Sequence, residues 1–66
     1  MNNQVQKFRK LNKITQEDLA KMVNVTRQTI ISIEQGKYIA SLPLALKIAK
    51  VFNTSVEEIF SLGEDD

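Results

Sequence analysis

The chain has 66 residues, 42% hydrophobic and 26% charged, a composition typical of one small folded domain rather than of a disordered segment. It contains no cysteine and no histidine, which excludes a disulfide framework, a thiolate metal site and the most common general base, so neither a metal nor a cofactor is expected. No apolar run has membrane-spanning length and no secretory signal opens the chain, so a cytoplasmic protein without a membrane partner is expected.

The net charge of +1 conceals an uneven distribution along the chain. Residues 7–50 contain all nine Lys and Arg but only three acidic residues, a net charge of +6, whereas the residues from Val51 onward carry five acidic residues and no basic one. A basic body with an acidic end favours a surface that binds a polyanion. The alternative is ordinary solvated surface charge.

About five short helices and no strand are predicted, which makes the expected fold an all-α compact bundle. The first helix is expected over residues 3–11, because Val5, Phe8 and Leu11 recur at a spacing that places them on one inward face.

Residues 15–36 are predicted to form two further helices joined by a tight turn. Thr15 can cap the first of them, and Asn24 falls where the chain must reverse, a place where asparagine tolerates the left-handed conformation. Three apolar residues between them are expected to form one buried stripe: Leu19, Met22 and Val23.

The second helix of this pair is predicted to begin after Thr26 and to end before Gly36, with Ile30 and Ile33 facing inward. Ala20 is small enough for two helices that cross steeply over a short turn, although it could also be present simply as a good helix former. The pattern is that of a helix-turn-helix, whose second helix has a polar outer face suited to the major groove of DNA.

A fourth helix is predicted over residues 41–52. Ser55 and Glu58 form a capping-box pattern that predicts a fifth helix over residues 56–61, and the acidic tail over residues 61–66 is expected to fray.

The last two helices contain more apolar residues than so small a core is expected to hold, and a contiguous exposed patch usually marks an interface. The residues expected at a dimer interface are Leu44, Val51, Val56, Phe60 and Leu62. The alternative is that Ile59 and Phe60 close the core, and both outcomes are compatible if Ile59 faces inward while Phe60 or Leu62 is shared with a partner.

Nearly the whole chain, residues 5–60, resembles the phage repressor and Cro family of helix-turn-helix regulators, also called the Xre family. The residues that carry the resemblance are Thr15-Gln16-x-x-Leu19-Ala20, Thr26-Arg27-Gln28-x-Ile30-x-x-Ile33-Glu34-x-Gly36-Lys37-Tyr38, Ser41-Leu42-Pro43 and Leu46-Lys47-Ile48-Ala49. The resemblance implies one lambda-repressor-like DNA-binding domain over residues 1–66, similar to the short stand-alone members of that family.

The resemblance also implies which residues read bases, namely the outward positions of the third helix: Arg27, Gln28, Ile31 and Ser32. Arginine can make two hydrogen bonds to guanine, glutamine can make two to adenine, and an outward isoleucine suits a thymine methyl group. The alternative for these positions, above all for Ile31 and Ser32, is a solvated helix face.

A second group of residues is expected to contact the DNA backbone. Gln16 matches the family glutamine that grips a phosphate from the start of the second helix. The residues that flank the third helix and could reach phosphates are Thr26, Thr29, Lys37 and Tyr38. Thr26 could instead serve only as a cap, and Tyr38 mainly for packing.

The family resemblance further implies a structural ion pair between Arg9 and Glu34, which would join the first helix to the third beneath the DNA-binding surface. The chain departs from the family at Asn24, where many relatives carry glycine, and at Ile39-Ala40, which replaces a more polar pair.

The function expected from all of this is a sequence-specific transcriptional regulator, most simply a repressor that binds a roughly palindromic operator as a homodimer. RNA polymerase is a further partner if the protein activates instead. The alternative function is an antitoxin or anti-regulator whose main partner is another protein. No enzyme is expected, because the sequence has no phosphate-cradling glycine loop, metal-ligand cluster or nucleophile–base pair.

Overall fold

The computed structural model describes residues 2–63, and the acidic residues 64–66 of the tail that is expected to fray lie outside them. Five helices follow one another in chain order: α1 (Val5–Leu11), α2 (Gln16–Met22), α3 (Arg27–Glu34), α4 (Leu42–Val51) and α5 (Val56–Ile59). The predicted five-helix bundle is therefore confirmed. Within residues 2–63, no helix has the length and apolar character needed to cross a bilayer.

A small antiparallel sheet joins the two ends of the described chain. Strand β1 (Asn2–Asn3) pairs with strand β2 (Phe60–Ser61), with Asn2 opposite Ser61. The sequence predicts no strand and instead includes Asn3 in the first helix and Phe60 and Ser61 in the fifth, which is wrong. Strands of two residues are too short to show the alternating pattern by which a strand is predicted. Asn3 also donates a hydrogen bond from its side-chain Nδ2 to the backbone oxygen of Ile33, over 2.8 Å, so the sheet is fastened to the last turn of α3.

Threonine side chains begin both helices of the predicted helix-turn-helix. Thr15 Oγ1 accepts a hydrogen bond from the Asp18 amide at 3.0 Å, and Asp18 closes a capping box by accepting from the Thr15 amide. Thr26 Oγ1 caps α3 by accepting a hydrogen bond from the Thr29 amide at 3.3 Å. The capping box predicted for α5 is wrong: the Ser55 side chain makes no cap bond, and Glu58 accepts a hydrogen bond from Thr54 Oγ1 instead.

Each of the first four helices ends with a residue in the left-handed conformation, followed by a reversal of the chain. These residues are Lys13 (φ 56°), Asn24 (φ 60°), Gly36 (φ 76°) and Asn53 (φ 53°). At the end of α2, the Val25 amide donates to the Ala20 carbonyl over 2.9 Å and the Asn24 amide donates to the Lys21 carbonyl over 3.3 Å, the Schellman pattern. This geometry sets the tight turn between α2 and α3.

The Lys13→Gly variant is expected to be more stable than the parent by about 0.5–1 kcal/mol, because glycine adopts a positive φ without the steric cost that lysine bears. Urea denaturation measures the difference. The matched control is Lys10→Gly, also exposed but inside α1, which should lower the free energy of unfolding by about 1 kcal/mol. Destabilisation in both variants would contradict the expected gain at Lys13.

The core lies between the helices and is closed by β2. Its buried apolar residues are Val5, Leu19, Ala20, Val23, Ile30, Ile33, Leu44, Ala45, Ile48, Ala49, Phe52, Ile59 and Phe60. The rings of Phe8 and Phe52 pack together with their centroids 5.8 Å apart.

Two residues predicted to face the core do not. Leu11 and Met22 are 70% and 59% exposed, each at the last residue of its helix. The inward face of α1 is formed by Val5 and the charged Arg9, and that of α2 includes Ala20. The other predicted inward residues of the two helices do contact the core: Val5, Leu19 and Val23 are buried and Phe8 packs against them.

Candidate nucleic-acid interface

Helix α3 has an apolar inner face and a polar outer face. Ile30 and Ile33 are buried in the core, which fixes how the helix is rotated. The four residues predicted to read bases share the opposite face, where Arg27 and Gln28 are exposed and Ile31 and Ser32 are half-buried. Gln28 Nε2 donates a hydrogen bond to Ser32 Oγ at 3.3 Å, so the two polar side chains lie one turn apart on the same side.

Helix α2 packs closely against α3, away from the polar outer face of α3. Ala20 is 2% exposed at this contact, as expected if the crossing helices require a small residue. Thr26 Oγ1 lies 3.0 Å from Thr29 Oγ1 and accepts the Thr29 amide, so this hydroxyl does serve as the cap of α3. The packing of α2 against α3 and the cap at Thr26 therefore fix the position of the outer face of α3.

Two clefts flank the outer face of α3. The first lies toward the start of α2 and is lined by Arg9, Thr15, Gln16, Glu17 and Arg27. The second lies on the other side and is lined by Thr26, Gln28, Thr29, Ser32 and Tyr38. The sequence interpretation includes most of these residues in the interface, but it assigns Arg9 to the structural ion pair and Thr15 and Glu17 to the start of a helix.

Lys37 and Tyr38 are exposed at the far end of α3, where both of their amides donate to the Ser32 carbonyl, at 2.9 and 3.3 Å. These backbone bonds hold the two side chains beside the helix.

A buried ion pair lies beneath the outer face. Arg9 Nε donates to Glu34 Oε2 at 2.8 Å and Arg9 Nη2 donates to Glu34 Oε1 at 3.2 Å, a bidentate contact that joins α1 to α3. The remaining terminal nitrogen of Arg9 donates to the Ile14 carbonyl at 3.0 Å. The two side chains are only 11% and 5% exposed, so the pair is shielded from solvent on most sides.

Gln16 extends this pair toward the first cleft. Its Nε2 donates to Glu34 Oε1 at 3.1 Å, the same oxygen that accepts from Arg9. A side-chain amide has two N–H donors, so this bond leaves one for a ligand in the cleft. Glu34 therefore fixes Gln16 as well as Arg9, a link that no pattern in the sequence indicates.

The helix-turn-helix family model matches residues 5–59. The chain belongs to the Xre/Cro-type helix-turn-helix family, whose members are DNA-binding transcriptional regulators. An uncharacterized HTH-type transcriptional regulator of Methanocaldococcus jannaschii is 53% identical over 66 residues, with all of both chains covered. Another, of Archaeoglobus fulgidus, is 48% identical over 66 residues, covering 100% of this chain and 93% of that one.

A solved structure shows the same fold. The restriction-modification controller protein C.AhdI from Aeromonas hydrophila superimposes with a TM-score of 0.78 at 27% identity, covering 85% of each chain.

The apolar surface predicted for a dimer is not exposed as a unit. Leu44 and Phe60 are buried in the core of the chain itself, and Val51 and Val56 are half-buried against it, whereas Leu62 is exposed. The expectation of an exposed patch is wrong for Leu44 and Phe60. The physical reason at Phe60 is that α5 ends at Ile59, after which the extended backbone of β2 turns this ring inward.

Proposed function

We propose that this regulator is a sequence-specific repressor that binds double-stranded DNA in the cytoplasm, recognising a roughly palindromic operator as a homodimer. The observation that carries the proposal is the exposure of Arg27 and Gln28 on the face of α3 opposite the buried Ile30 and Ile33. A helix presented in this way fits the major groove, which is about 12 Å wide in B-DNA.

The outer face of α3 supplies three kinds of base contact. Arg27 is suited to donate two hydrogen bonds to the O6 and N7 atoms of guanine, and Gln28 to pair with the N6 and N7 atoms of adenine. In the free protein, the 3.3 Å hydrogen bond to Ser32 orients the Gln28 side chain. On DNA, Gln28 would give up this bond and donate to the base instead. Ile31 lies on the same outer face and is half-buried, and its apolar side chain suits a thymine methyl group.

The polar linings of the two clefts support contacts with the DNA backbone on either side of α3. Gln16 lines the first cleft, and Thr29 and Tyr38 line the second. Such groups, together with Thr26 and Lys37, can donate hydrogen bonds to phosphate oxygens, which positions the protein without reading sequence. Since Gln16 is already held by Glu34, little of its rotamer freedom would be lost on binding.

Repression would follow from occupancy of a promoter. Two copies on a palindromic operator would contact half-sites about 34 Å apart, one helical turn, and would exclude RNA polymerase from the same DNA. Contact with RNA polymerase beside the promoter would turn the same binding into activation.

The Arg27→Ala variant is expected to lose discrimination at one base pair of the operator, by about 1–3 kcal/mol, because a bidentate contact to a base edge disappears. The operator is first selected from a random DNA pool with the parent protein, and each variant is then titrated against every single-base change of that operator by fluorescence anisotropy.

The matched control is Lys37→Ala, which also removes one exposed cation but from a position proposed to contact phosphate. It should weaken binding to all sequences about equally and reduce the slope of log K against log salt by about one. If Arg27→Ala behaves like Lys37→Ala, the proposed base-reading role is refuted.

A further inference from the structure

Lys13 occupies a backbone position that the chain fills with other residue types elsewhere. Each of the first four helices is followed by a residue with positive φ, and the amides of that residue and the next donate to carbonyls near the end of the helix. After α2, α3 and α4 this residue is asparagine or glycine, the types that adopt the left-handed conformation at least cost. After α1 it is lysine, with a φ of 56°, so this turn is less stable than it would be with glycine.

The charge of Lys13 has no evident use inside the folded chain. The residue is exposed, and its side chain makes neither an ion pair nor a hydrogen bond with any residue in 2–63. A cation at the end of α1 favours the helix dipole, but Lys10 already supplies an exposed one to the last turn. Residues in strained conformations tend to be found where function uses them, which directs attention to a partner for this ammonium group.

The turn that carries Lys13 is held beside the first cleft. The next residue, Ile14, is bonded to Arg9 in both directions: its amide donates to the Arg9 carbonyl at 3.0 Å, and its own carbonyl accepts from Arg9 Nη1 at 3.0 Å. Thr15 and Gln16 follow directly and line the first cleft together with Arg9. Lys13 therefore lies next to the segment that carries the glutamine proposed to bind a phosphate.

We propose that Lys13 is a further contact to the DNA backbone, which binds a phosphate other than the one bound by Gln16. The inference rests on the proposed function. Lysine suits this role because it binds phosphate as a compact point charge on a flexible stem. Residues 1–16 contain four cations and no acid, so this part of the chain is attractive to a polyanion.

The nearby carboxylates leave the ammonium of Lys13 available. Glu34 already accepts hydrogen bonds from Arg9 and Gln16, and Asp18 is the acceptor in the capping box of α2. Glu17 lines the first cleft but forms no ion pair with Lys13. A lysine at this position would thus increase the affinity for DNA of any sequence while it lowers the stability of the fold.

The test separates the charge of Lys13 from its backbone conformation. Lys13→Gln removes the charge but keeps a side chain in the left-handed position, Lys13→Gly removes both the charge and the strain, and Lys13→Arg keeps the charge. The matched control is Lys50→Gln, at an exposed lysine on α4 where none of residues 47–53 lines either cleft. Each variant is titrated with the selected operator at several salt concentrations, and urea denaturation measures its stability.

Lys13→Gln should weaken operator binding by about five- to tenfold per bound copy at 0.1 M salt and reduce the slope of log K against log salt by about one per copy. Lys13→Gly should bind as weakly although it is more stable than the parent, a combination that a purely structural role would not produce. Lys13→Arg and Lys50→Gln should bind as the parent does.

A second measurement locates the contact on the DNA. Single phosphates of the operator are replaced by uncharged methylphosphonates. One replacement should weaken binding of the parent but not of Lys13→Gln, at a phosphate distinct from the one that behaves in this way with Gln16→Ala. An unchanged salt slope in Lys13→Gln, equal losses in Lys13→Gln and Lys50→Gln, or no such phosphate would overturn the inference. Failure of the parent to select any DNA would instead reject the proposed function, and the inference with it.

Discussion

Glu34→Ala is expected to lower the free energy of unfolding by about 3–5 kcal/mol, since it leaves the Arg9 guanidinium buried without its counter-ion. It also removes the acceptor of Gln16. For a domain of this size the loss is comparable to the whole stability, so the variant should be largely unfolded at room temperature. Thermal and urea denaturation followed by circular dichroism measure the change.

The control for Glu34→Ala is Glu57→Ala, an exposed acid on α5 whose removal should change stability by no more than about 0.5–1 kcal/mol. A second comparison replaces both partners, Arg9→Met with Glu34→Leu. The pair of substitutions should cost less than the sum of the single ones, because no unpaired charge remains. A Glu34→Ala melting temperature within a degree or two of the parent would show that the pair has no structural importance.

Leu19→Ala is the second substitution with a large expected effect, a loss of about 2–5 kcal/mol in the free energy of unfolding. Leu19, on α2, is fully buried in the core, so its truncation leaves a cavity between α2 and its neighbours. The measurement is again urea denaturation.

Met22→Ala is the matched comparison, because the sequence places Leu19 and Met22 on one buried stripe while the structure leaves Met22 exposed. Its effect should lie within about 0.5 kcal/mol of zero. Equal losses in the two variants would mean that the packing of α2 described above is incorrect.

The features that the sequence predicts well are those set by local chemistry. Thr15 and Thr26 begin helices because a hydroxyl can satisfy amides within three residues, and Asn24 and Gly36 end them because of their own backbone preferences. The polar face of α3 is also local, since it follows from the helical period alone.

The features that the sequence misses depend on long-range contacts. Arg9 fills an inward position of α1, where Glu34 neutralises it, whereas Leu11 at the end of the same helix is exposed. The family resemblance indicates the ion pair, but the bond from Gln16 to Glu34 joins residues 18 apart and has no counterpart in any local pattern. The expected exposure of Phe60 is wrong for the same reason, since its burial depends on a strand formed with the other end of the chain.

The pairing of β1 with β2 brings both ends of the described chain together. The hydrogen bond from Asn3 then connects this small sheet to the final turn of the helix proposed to read DNA. A force or a bulky group at either end of the described chain would therefore act on the last turn of α3 through this hydrogen bond, rather than through the packing of the core.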